Sequence, residues 1–91
     1  MRPIAPETAE AVARDIERFL RERFQIANDE TGFTRTVNLW EEGYVDSLGV
    51  VEVIAFLEQR FGVTVPREIV FAPDFTSIDG IARFVFSLRA G

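Results

Sequence analysis

Three stretches of this chain repeat their apolar residues at helical spacing, and no stretch alternates them at the period of a strand. That pattern confines the fold to helices packed face to face. Ala9, Val12, Ile16, Phe19, Leu20 and Phe24 share one face, which predicts a first helix over Pro6–Phe24 with Pro6 in its opening turn. Val50, Val53, Ile54, Leu57 and Phe61 form the core stripe of a second helix, predicted over Ser47–Phe61 and stopped at Gly62. Ile78, Ile81, Ala82, Val85 and Leu88 give the inward face of a last helix over Ser77–Leu88, capped by Thr76 or Ser77. Pro66 to Phe71 is predicted as a short helix that Pro73 ends, and Val63-Thr64-Val65 is too short, without a partner, to be a strand. Gln25–Val45 forms a linker of about twenty residues, longer than ordinary connections, and Phe33, Val37, Leu39 and Trp40 are its expected anchors. The expected fold is all-α: a small bundle of three main helices plus one short helix, with a long loop between the first and second.

A chain of 91 residues holds one core, so a single domain over 1–91 is expected, folded from about residue 6 to 89. Apolar residues make up 47% of it, nine of them Phe, which is enough to pack that core without help. Fifteen acids against ten bases leave a net charge of −5, which argues against a phosphate-backbone binder, so no nucleic-acid partner is expected. Arg14, Arg18, Arg21 and Arg23 alternate with Asp15, Glu17 and Glu22 and read as a solvated helix face. With no Cys there are no disulfides or thiolate metal sites, and with no His the Ser-His-acid and Cys-His catalytic arrangements cannot be assembled. Asn28-Asp29-Glu30-Thr31-Gly32 fails as a calcium loop, because Asn38 stands where the loop's closing glutamate is required. No run approaches the ~20 apolar residues that span a membrane, and Met1–Pro6, short and broken by proline, is not expected to be a signal peptide. The cytoplasm is the expected location.

What remains is one serine. In Asp46-Ser47-Leu48 a loop containing Gly43 gives way to the second helix, and either Asp46 or Ser47 suits the N-cap. A phosphodiester on Ser47 would sit at the positive end of the helix dipole. Leu48, Val51 and Ala55 make a second stripe on that helix, with Glu52 and Glu58 nearby. This stripe either widens the core contact or forms a docking surface whose acids steer a basic partner. Glu41-Glu42 reads as a solvent-facing pair, and Ser77 as a cap, since it lacks both the glycine-containing approach and a second stripe.

The ordered set of segments resembles the acyl carrier protein family. It comprises the amphipathic first helix, the run Leu39-Trp40-Glu41-Glu42-Gly43-Tyr44-Val45-Asp46-Ser47-Leu48, the helix after it, Phe61-Gly62-Val63-Thr64-Val65-Pro66, and Phe75–Val85. Gly49, where an acid often follows, and Gln59 depart from the fatty-acid type, and the run is closer to free-standing carriers of specialised or aminoacyl pathways. The resemblance implies that Ser47 carries a 4′-phosphopantetheine arm taken from coenzyme A, with Asp46 as its motif neighbour. A phosphopantetheinyl transferase would attach the arm, and an acyl or aminoacyl group would ride on it as a thioester between biosynthetic enzymes of a polyketide, nonribosomal-peptide or related pathway. It implies a non-catalytic monomer whose partner face is Leu48, Val51, Glu52 and Ala55. The competing expectation is an unmodified helical interaction module of the same fold. Val50, Ile54 and Leu57 opposite Phe71, Phe75 and Ile81 would wall any acyl hole, but nine Phe residues in so small a core predict that it is filled and that cargo is short and stays at the surface.

Overall fold

The computed structural model describes residues 8–90, in which three α-helices and two 3₁₀ turns are present and no strand occurs. Helix α1 spans Ala9–Arg23. Thr8 holds its N-cap in extended conformation and accepts a hydrogen bond from the Ala11 N–H at 3.0 Å, so the helix begins at Ala9; the expected start at Pro6 lies outside the described residues. Val12, Ala13, Ile16 and Leu20 are its buried residues, Ala13 in place of the expected Ala9, while Phe19 and Phe24 are half-buried.

Helix α2 spans Ser47–Phe61, as its periodicity predicts, and ends at Gly62, whose left-handed backbone (φ 68°) lets its N–H return to the Glu58 carbonyl at 3.0 Å. Val53, Ile54, Leu57 and Phe61 enter the core, but Val50 is only half-buried, turned toward a surface groove. Helix α3 spans Ile78–Ala90, with Ser77 as its cap: the Ser77 hydroxyl accepts from the Gly80 N–H at 3.1 Å. Ile78, Ile81, Ala82 and Val85 are closed off from solvent, whereas Leu88 is 39% exposed and lies beyond the last inward turn. Helix α3 packs most closely on α1, and α2 completes the bundle.

The expected short helix is instead a pair of 3₁₀ turns, Arg67–Phe71 and Pro73–Thr76. Pro73 forces this, because a proline excludes the helical conformation from the residue before it, and Ala72 is accordingly extended (ψ 140°). The second turn delivers Phe75, fully buried, into the core, a burial worth about 1.5–3 kcal/mol. It also runs so close to α3 that a Cβ at Gly80 would meet the Asp74 carbonyl oxygen well inside contact distance.

The long loop is tied down at both chain and side-chain level. Leu39 donates its N–H to the Thr76 carbonyl at 2.8 Å, and the Asp79 N–H donates to the Arg35 carbonyl at 3.0 Å, which fastens the loop to the start of α3. Phe33, Leu39 and also Val45 are buried, with Val37 and Trp40 half-buried. Arg35 reaches α1, where its guanidinium meets Glu17 at 2.7 Å and Glu10 at 3.0 Å, and Arg21 closes on the other Glu17 oxygen at 3.1 Å. The Arg35 hydrogen bond, followed by the Arg21 contact, outweighs desolvation and holds the Glu17 carboxyl below its ordinary value. The same pairing raises Arg35.

Candidate functional site

Loop and α2 meet at Asp46. Its backbone is extended, and its carboxylate accepts from the Gly49 N–H at 2.7 Å, so the acid and not the serine caps the helix. Ser47 is therefore the first helical residue, exposed, with its hydroxyl left out of the capping bonds at the positive end of the α2 dipole. The adjacent Asp46 spends a carboxylate oxygen on a backbone N–H, and the chain has no histidine to serve as a base beside the serine. Among the described residues no group of three or more acids is arranged to hold a metal ion.

Gly49 is buried here. A Cβ on it would lie 2.8 Å from the Phe24 ring and 3.1 Å from the Val45 side chain, so the end of α1 closes over the first turn of α2 and leaves no room for the acid that often stands at this place. The second stripe is open: Leu48 is 78% and Val51 51% exposed, and Ala55 is exposed as well. The core does not use it. The two acids beside it are less free than their positions imply, because Glu52 is ion-paired with Arg23 of α1, and the Glu58 carboxylate accepts from the Val65 N–H at 2.9 Å, holding the turn after α2.

Beside Ser47 lies a groove of about 480 Å³ lined by Trp40, Val45, Asp46, Ser47, Val50, Val70 and Phe71. It is not a hole between Val50, Ile54 and Leu57 on one side and Phe71, Phe75 and Ile81 on the other, a space that the Phe-rich core was expected to fill. Ile54, Leu57, Phe75 and Ile81 are sealed in the core, while Phe71 stands 87% exposed at the groove's rim. Trp40 shapes the inner side: its indole N–H donates to the Phe75 carbonyl at 3.2 Å, and its ring stacks on Phe75 with centroids 6.4 Å apart.

The residue that sets this part of the loop is Asn38, which sequence reasoning passed over. Its side-chain oxygen accepts from the N–H groups of both Trp40 and Glu41, at 3.1 and 3.0 Å, and an Asn two residues before a turn is the available signal for such a bond. Glu41 and Glu42 are exposed and make no catalytic arrangement. Tyr44 packs edge-on against Phe33 and donates to Glu30 at 3.2 Å; partial desolvation, with the Glu30 bond second, pushes its phenol above the ordinary value. Ser77, the rival serine, spends its hydroxyl on the α3 cap.

Comparison with known proteins agrees with this geometry. The family described as phosphopantetheine attachment site matches residues 14–85, which takes in all of α2, the groove and most of α3. A D-alanyl carrier protein of Bacillus velezensis is 50% identical over 30 residues, a match that covers 33% of this chain and 38% of that protein. An exposed serine opening a helix, with its cap supplied by a neighbour, fits the arm this family bears, and members of it are not catalysts themselves. The chain belongs to the phosphopantetheine-attachment family of carrier proteins, whose cofactor is 4′-phosphopantetheine.

Proposed function

We propose that this chain is one carrier domain that holds an acyl or aminoacyl group as a thioester on a phosphopantetheine arm at Ser47, and shuttles it between biosynthetic enzymes of a specialised pathway. The observation that carries the reading is the division of labour at the loop–helix junction: Asp46 holds the helix end, so the Ser47 hydroxyl is exposed and uncommitted. In the attachment step that oxygen attacks the phosphorus next to the pantetheine in coenzyme A. The new P–O bond forms, the pyrophosphate P–O bond breaks, 3′,5′-ADP departs, and the serine proton passes to a base of the phosphopantetheinyl transferase. The arm supplies a terminal thiol, which this cysteine-free chain lacks. A need for coenzyme A and the transferase supports a cytoplasmic carrier, and we propose that it acts as a monomer.

Leu48, Val51 and Ala55, with Glu52 at their edge, are the face presented to the transferase and to loading and acyl-using enzymes. Their exposure beside Ser47 supports this. The cargo is small, aminoacyl or short acyl, a reading supported by the surface groove and by the name of the D-alanyl carrier relative. Incubating the protein with coenzyme A, magnesium and a broad-specificity transferase should add one phosphopantetheine by intact mass, and none to Ser47→Ala. Labelling of the alanine variant would move the site elsewhere. An unlabelled, folded native protein would establish the alternative, an unmodified interaction module.

A further inference from the structure

We propose that Trp40 is the residue that limits cargo length, closing the inner side of the groove at Ser47 so that an acyl chain cannot pass into the core. The inference rests on Ser47 bearing the arm. A chain tethered at Ser47 has an apolar recess within immediate reach, the groove lined by Trp40, Val45, Val50, Val70 and Phe71. Inward from there the path runs into the indole. The indole rests on Phe75, which is fully buried, edge-on to Phe84 at 6.2 Å, and part of the same core as Ile54, Leu57 and Ile81, all closed to solvent.

Trp40 is not a side chain that swings aside. Its ring is held by the stack on Phe75 and by the indole N–H bond to the Phe75 carbonyl. Its backbone is fixed from both directions: its N–H donates to Asn38 Oδ1, its carbonyl accepts from the Gly43 N–H at 3.2 Å, and the preceding Leu39 is bonded to both Thr76 and Val45. Opening the groove inward would require breaking the stack on buried Phe75 and a hydrogen bond together. Removing such a ring would deepen the apolar groove toward Phe75, and an apolar recess takes up an apolar chain. The tryptophan therefore separates a shallow resting place from a potential deep one.

The test uses carriers loaded at Ser47 with acetyl- or octanoyl-phosphopantetheine, loading being verified first by intact mass; failure to load overturns the attachment itself and leaves Trp40 out of the result. The readout is the rate of thioester cleavage by hydroxylamine, each carrier compared with the matching free acyl-pantetheine. On the native protein, acetyl and octanoyl thioesters should both be cleaved within about twofold of their free counterparts. On Trp40→Ala the octanoyl thioester should be cleaved at least fivefold more slowly and the acetyl one should be unchanged, and the amides of Ile54 and Ile81 should shift with the octanoyl chain alone. Trp40→Leu, which keeps an apolar body of smaller volume, carries the same expectation if the alanine variant does not fold. Protection of the octanoyl chain by the native protein, or no protection in either folded variant, would overturn the proposal.

Discussion

At the residue scale the junction at Asp46-Ser47 separates two jobs that one side chain often combines. Because Asp46 supplies the cap, Asp46→Ala should lower stability by about 1 kcal/mol, within the 0.5–2 kcal/mol that a lost N-cap costs. Ser47→Ala should stay within about 0.5 kcal/mol of the native protein, as an exposed substitution away from any such contact does. Urea unfolding of the two variants checks both, and equal losses would mean that the serine shares the cap. This detail was not legible in the sequence, since Asp and Ser are equally good caps and only the backbone angles and the bond to Gly49 tell them apart. Gly49 was similar. It stood out as a departure, but its cause is Phe24, which lies far from it in the chain and packs on it in space.

At the element scale α2 carries two stripes of opposite fate, and the sequence showed both while leaving the second one's role open. Val51→Asp should remain folded, because half of the side chain is already in water, and should slow loading by partner enzymes. A loss of helical circular dichroism would return Val51 to the core; native loading kinetics would withdraw the docking face. Glu52→Arg removes the ion pair and sets two arginines together, so its effect on loading should fall mainly on association and shrink with added salt. The elements that periodicity misread are those that depend on backbone rules or on neighbours. Pro73 turns the expected short helix into 3₁₀ turns, and Val50 leaves the core stripe for the groove. Gly80 is the strictest such case. An alanine there gains about 1 kcal/mol of helix propensity, yet its Cβ collides with the Asp74 backbone, an overpacking cost of about 3 kcal/mol. Gly80→Ala should thus be less stable by about 2 kcal/mol in urea unfolding.

At the scale of the whole molecule, the loop is as structural as the helices. Its anchors at Phe33 and Leu39 were readable as apolar residues in a polar stretch, but the reach of Arg35 to α1 joins positions too distant for any spacing rule. That latch makes an acid-sensitive contribution. Glu17 titrates lower in the folded protein than in the unfolded chain, so the stability it adds is present in full above the ordinary glutamate value, about 4.3, and is lost as pH falls through the lower folded value. Arg35 stays charged throughout that range. Denaturant midpoints measured down this window should fall with pH, and Glu17→Gln should flatten the slope; an unchanged slope would assign the acid loss to other carboxylates. The separate cap has its own consequence for traffic through a pathway. On the proposed attachment, modifying Ser47 removes none of the bonds that hold the start of α2, because Asp46 makes that cap. Enzymes that must tell an absent, bare or laden arm apart would then have no change in the α2 cap to read, and discrimination would fall to the arm and its load.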